Sequence, residues 1–239
     1  MKTGRTLQEL AVELDRQAAA KRDFVVSSRR MGMTESASHF RLLPEDSDIL
    51  NFDMNDLFHR QVGASLGIPA KYYDMMREKY PSLLAQNVNG WFEREPSKHT
   101  VRTLDGTARA FLSDRYRRID NYDIAKATLP VISEMPGVRV ESCEITGNRL
   151  YLKVVNSRLA AEITKGDVVQ AGIIISNSEV GLGSVSVMPL VYRLVCLNGM
   201  IINELGKAER TLKRYQKSAL SKIERFMVGQ KDILDFPSV

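Results

Sequence analysis

Residues 138–155 read VRVESCEITGNRLYLKVV. Leu150, Leu152 and Val154 alternate with Tyr151, Lys153 and Val155, the two-residue period of a strand with one covered face. Gly147 and Asn148 accept the positive φ that a tight reversal requires. The stretch therefore predicts two antiparallel strands joined through Gly147-Asn148.

Upstream, HTVRTL (99–104) and TARAFLS (107–113) flank Asp105-Gly106, a second hairpin signal of the same kind. Strict alternation in 107–113 places Ala108, Ala110 and Leu112 on one face and leaves Arg109 and Phe111 together on the other. A helix is expected next, with Asp120 or Asn121 as its N-cap and Ile124, Ala127, Leu129 and Ile132 on its buried side; Pro130 is expected to kink it. Downstream, DVVQAGIII (167–175) and SVSVMPLVYRLVC (184–196) supply two further β-rich runs.

The first 98 residues read as mostly helical. TLQELAVELDRQAAAKRDF (6–24) repeats Leu7, Leu10, Leu14 and Ala18 at helical spacing. Residues 55–94 read as short helices punctuated by Pro69 and Pro81. FVVSSRRM (24–31) and SHFRLLPED (38–46) read as short extended pieces, the second ended by Pro44. Over 203–228, Leu205, Ala208, Leu212, Tyr215, Ala219, Ile223 and Phe226 line one side of a long helix whose other faces are basic. The fold class expected is α+β: a largely antiparallel sheet of four or more strands with a helix before it. The divisions expected are a helical region over 1–98, a sheet core over 99–200 and a basic amphipathic helix over 201–239, one main domain with helical additions.

Composition narrows the function classes. The 239 residues are 44% hydrophobic and 26% charged, an ordinary globular balance, and no apolar run reaches the ~20 residues of a membrane helix. The start, MKTGRTLQEL, lacks the apolar core of an export signal, so a cytoplasmic location is expected. Cys143 and Cys196 are far apart with no CxxC pair, which excludes a disulfide framework and a cysteine-rich zinc site. A net charge of +5 suits an anionic partner.

No catalytic set stands out by spacing. His39, His59 and His99 are isolated in sequence, without an HxH or HExxH arrangement. Glu141, Glu144 and Asp167, with Lys153, could supply a metal nuclease only by coming together in space. SNSEVGLGSVSV (176–187) lacks the GK[ST] and GxGxxG endings of phosphate loops, and reads as a turn or bulge between strands whose Ser176, Asn177, Ser178 and Glu179 satisfy backbone groups locally. No cofactor and no metal is implied.

The richest anion-binding signal is RAFLSDRYRRIDN (109–121), with four arginines in thirteen residues. Arg109 and Phe111 on one strand face could hold a phosphate and a base. Arg115, Arg117 and Arg118 precede a helix N-terminus that would add amides and a positive dipole end, and Tyr116 could stack a base. The competing reading pairs the arginines with Asp114 and Asp120 and puts Phe111 and Tyr116 in the core. Lys207, Arg210, Lys213, Arg214 and Lys217 of the terminal helix would add phosphate contacts.

AFLSDRYRRIDN, LGIPAKYYDMM and GIIISNSEVGLGSVSVMPLVYRLVCLNGM resemble a phage- and plasmid-associated family known only as a domain of unknown function (DUF 932), over about residues 66–202. The resemblance implies a mobile-element setting and brings no activity with it. The succession of helix, antiparallel strands and long helix is similar in topology to the core of single-strand annealing recombinases. That likeness implies rings or filaments holding DNA in a basic groove. The function expected is a single-stranded DNA binding or annealing protein for recombination, acting as a homo-oligomer. A protein-interaction or anti-defence module of a mobile element is the alternative.

Overall fold

The computed structural model describes residues 6–45, 48–164 and 167–193, and within them the chain is mixed α+β with two sheets. The described residues form two compact units, one from Arg16–Arg118 and the other from those up to Asp15 together with those from Ile119 onward.

The Arg16–Arg118 unit holds a six-stranded sheet. Its strands are β1 (Arg22–Ser27), β2 (Met31–Met33), β3 (His39–Leu42), β4 (Leu50–Met54), β5 (Lys98–Leu104) and β6 (Thr107–Ser113), and their order across the sheet is β1-β5-β6-β4-β3-β2. Neighbours are antiparallel except β4 and β6, which run parallel. Three helices separate β4 from β5: α2 (Asp56–Ser65), α3 (Ala70–Lys79) and α4 (Pro81–Arg94). Asn55 caps α2, its side chain accepting from the Phe58 amide at 2.8 Å, and Pro81 takes the first position of α4, where no amide is needed. The region expected to be mostly helical therefore also carries four strands, all of six residues or fewer, too short for a clear period.

The core of this unit is aromatic. Phe40, Phe58, Phe92 and Phe111 meet edge to face or stacked, with centroids 4.8–6.1 Å apart. Asn89 of α4 serves the edge strand β2 as a substitute neighbour: its Oδ1 accepts from Met33 N at 2.8 Å and its Nδ2 donates to Met33 O at 2.9 Å. Asp105 and Gly106 both adopt positive φ, 50° and 77°, so the hairpin between β5 and β6 is as the sequence predicts. That hairpin joins the six-stranded sheet, not the sheet of residues 138–155.

In the other unit α1 (Leu7–Ala20) begins with a reciprocal cap. Thr6 N donates to Glu9 Oε2 at 2.7 Å and Glu9 N donates to Thr6 Oγ1 at 3.2 Å. Leu10 and Leu14 are buried with α5 (Asn121–Glu134) against a four-stranded antiparallel sheet, while Leu7, expected on the same stripe, is exposed. The strands are β7 (Val138–Ile145), β8 (Leu150–Thr164), β9 (Asp167–Asn177) and β10 (Ser186–Arg193), in the order β10-β9-β8-β7. The hairpin predicted through Gly147-Asn148 joins β7 to β8, with Leu150, Leu152 and Val154 on the covered face. Asp120 takes the N-cap position of α5, and the helix runs through Pro130 to Glu134. Gly172 of β9 needs its missing side chain: a Cβ there would lie 2.4 Å from the Val154 carbonyl oxygen.

Candidate nucleic-acid interface

The stretch at 109–121 divides into a buried strand and an exposed turn. Along β5 the pairing moves one residue, from Arg102 to Thr103, while along β6 it moves two, from Ala110 to Ala108. Arg109 is the extra residue of a β-bulge, and a bulge reverses the alternation beyond it. Ala108 accordingly joins Phe111 in the same core. The pair expected to stand exposed is buried instead: Phe111 is 3% and Arg109 6% exposed. β6 is an interior strand with a helical layer to fill, so the large ring of Phe111 goes inward, where it stacks on His99 at 4.3 Å and on Phe92 at 5.8 Å.

After Ser113 the chain turns sharply. Tyr116 N donates to Ser113 O at 3.0 Å, and Arg115 N donates to Ser113 Oγ at 3.2 Å. Arg115, Arg117 and Arg118 are exposed and Tyr116 is half-buried. Asp114, offered as a partner for these arginines, accepts from Ser113 Oγ. Arg118 reaches Asp23 at 3.4 Å. Arg115 and Arg117 have no carboxylate partner among the described residues.

Asp23 is occupied chiefly by Arg102, which the sequence reading passed over. Arg102 is wholly buried and donates from Nε and Nη2 to the two Asp23 oxygens at 2.9 and 3.0 Å. Their positions face each other across β1 and β5. An arginine between Val101 and Leu104 of a strand is the one sequence signal that could have drawn attention to it.

The α5 N-terminus, expected as an anion site, already has an anion of its own. Glu179, 4% exposed, accepts from Asn121 N at 2.6 Å. The preceding residues complete a buried polar clasp. Asn177 donates to Ile119 O and Asn121 Oδ1, Ser178 donates to Asn148 O, and Ser176 and Ser186 share a hydrogen bond at 2.8 Å. The SNSE segment satisfies a nearby backbone group, as expected, where Ser178 accepts from Leu182 N, but most of its bonds reach residues 10–58 positions away in sequence.

The histidines that look isolated in sequence have partners in space. His39 lies between Ser38 Oγ at 2.8 Å and Asp53 Oδ1 at 3.0 Å, in solvent. His59 is buried with its Nδ1 3.0 Å from the Tyr73 hydroxyl, and burial pulls its pKa down to about 4 while raising that of Tyr73. His99, half-buried, contacts Ser97 Oγ at 2.8 Å, and its pKa is lowered by burial. Above α2 and α3 a groove is lined by Asp56, Arg60, Asp74, Arg77 and Glu78; the hydrogen bond from Arg77 holds Asp56 below the usual carboxylate range. Glu141 is held by Arg139 and by the Tyr192 hydroxyl at 2.5 Å, which lowers its pKa and raises that of Tyr192. Among the described residues no group of three or more His, Cys, Asp or Glu could hold a metal ion. Nor is any helix among them long and apolar enough to cross a membrane.

Cys196 and the basic helix expected over 203–228, with Lys207, Arg210, Lys213, Arg214 and Lys217, lie outside the described residues.

Neither the curated proteins nor the solved structures include a match to this chain. Residues 109–224 match the family described as "Domain of unknown function (DUF932)". The match begins on β6, takes in α5 and β7 to β10, and continues past the described residues. Over residues 109–224, just under half of its length, the chain is similar to the DUF932 family.

Proposed function

We propose that the chain binds single-stranded nucleic acid, DNA in the first instance, through the exposed arginine turn after β6. The observation that carries this reading is the state of Arg115 and Arg117, exposed beside Tyr116 and without a carboxylate partner among the described residues. Guanidinium groups in that condition offer forked donors to phosphate oxygens, and an adjacent ring offers a stacking surface. Sequence composition supports the reading further: residues 194–239 hold eight Lys or Arg against five Asp or Glu. In this reading the segment over 203–228 is the long basic helix of the sequence prediction, laid along the phosphate backbone. The protein works in the cytoplasm as a homo-oligomeric ring or filament that anneals strands for a phage or plasmid.

The direct test is fluorescence anisotropy of a labelled oligothymidylate with the full chain, combined with light scattering. Saturable binding to an oligomer is expected. A monomer that leaves the anisotropy unchanged contradicts both parts.

A second reading, a protein-interaction module, is favoured by one specific observation. Tyr72, Met75, Tyr80, Leu83 and Trp91, on or between α3 and α4, are each 39–57% exposed. Binding of a protein partner through these helices, with no affinity for oligonucleotide, is the outcome that would prefer it.

A further inference from the structure

Resting on the single-strand reading, we propose that the phosphate track extends beyond the arginine turn across the ends of β1 and β5. The cations added are Arg29 and Lys98, neither of which stands out in the sequence. Strand register makes the connection. Ser27, the last residue of β1, pairs with Lys98, the first of β5, and the next residue of β5, His99, pairs with Ser113, the last of β6. Neighbouring strands are about 5 Å apart, so three segments far apart in sequence end side by side on one rim.

The rim is held in place by buried hydrogen bonds. Ser28, 1% exposed, donates from Oγ to Phe92 O at 2.8 Å. Ser28 N donates to Ser97 O at 2.9 Å and Ser97 N donates back to Ser28 Oγ at 3.2 Å. These bonds tie the turn after β1 to the start of β5. Arg29 Nε donates to the Glu93 carbonyl at 3.4 Å, which leaves the outer guanidinium nitrogens to face water. Arg30 is different: it is committed to the Leu43 and Pro44 carbonyls and is not part of the track.

Arg29, Lys98, Arg115 and Arg117 are all exposed. Of the carboxylates close by in sequence, Glu95 stands three residues before Lys98 and Asp114 next to Arg115. At the start of β5 the half-buried His99 lies flat on Phe111, so its ring is fixed, and Tyr116 in the turn after β6 is also half-buried. A fixed row of cations with aromatic rings beside it is the arrangement by which single strands are followed without regard to sequence. The ligand is therefore the phosphodiester backbone of a single strand of either sugar.

The test compares the salt dependence of oligothymidylate and oligouridylate binding for the full chain and for R29Q/K98Q. Each single-strand phosphate contact contributes a log-log slope of about −0.7. The expected result is a slope shallower by about 1.4 for both probes, with an unchanged melting temperature. Because Arg29 makes one structural hydrogen bond, K98Q alone serves as the second variant, with an expected change of about 0.7. An unchanged slope in both variants, with R115Q/R117Q weakening binding, overturns the extended track and leaves the arginine turn standing. Absence of binding by the unaltered chain overturns both.

Discussion

Asp23 and Arg102 face each other across β1 and β5, and the wholly buried guanidinium spends two of its donors on that one carboxylate. The pair fixes the register of an edge strand on the sheet that carries the arginine turn. It also ties down Arg118, whose Nη1 reaches the same carboxylate.

Removing one partner would leave a buried charge without its counter-ion, a loss typically of about 3–5 kcal/mol. Asp23→Ala is expected to lower the free energy of urea unfolding by that order. Replacing both residues, as Asp23→Ala with Arg102→Met, should recover much of the loss, because no charge is then left buried. Equal destabilisation by the single and double variants would show that the pair has no such role.

Phe111 gives a second test, since the sequence reading placed it on the surface and the structure places it among four other rings. Phe111→Ala should cost about 3–5 kcal/mol in denaturant unfolding, and Phe111→Leu less than about 1.5 kcal/mol. A cost below about 1 kcal/mol for the alanine variant would return the ring to the surface, where a loss is usually within about 0.5 kcal/mol.

His59 predicts an acid-sensitive fold. Burial lowers its pKa from 6.5 to about 4, so between these values the unfolded chain binds a proton that the folded chain refuses. Its contribution is complete above pH 6.5 and is lost as the pH falls toward 4, at up to about 1.4 kcal/mol per unit and about 3 kcal/mol in all. His99 acts in the same direction. His59→Gln, which can still bond the Tyr73 hydroxyl, should flatten the melting temperature against pH in that window. The same steep fall in the variant would assign it to other groups.

Glu179 should matter to folding rather than to binding. Glu179→Ala strips the carboxylate from the Asn121 amide and is expected to cost about 1–3 kcal/mol in thermal or urea unfolding. Glu179→Gln keeps an acceptor and should cost less. Indifference to both changes would remove the clasp from the account of this unit.

Much of this fold is written locally. Asp105-Gly106 marks its hairpin because both residues take the positive φ of a tight reversal, whereas Gly147-Asn148 sits inside a four-residue loop between Ile145 and Leu150 with positive φ at neither residue. What stayed hidden is not local. The three residues of β2 are strand only because β3 pairs with them. Which sheet receives the β5–β6 hairpin is decided by β1 and β4, at either side of it. The bulge at Arg109 is a mismatch between two strands, so no period within 107–113 reports it, and the misassignment of Phe111 follows directly. The exposure of Arg115 and Arg117 was legible because a turn dense in arginine has little else to do with its charge. Arg29 and Lys98 were not, since only register puts them on the same rim.

The measurement that bears most directly on the central claim is the salt dependence of oligothymidylate affinity for the unaltered chain and for R115Q/R117Q. With two guanidinium groups fewer on the phosphates, the log-log slope should be shallower by about 1.4, with weaker binding at low salt and an unchanged melting temperature. Identical affinity and slope in the folded variant would contradict the assignment of the 113–118 turn as a nucleic-acid grip.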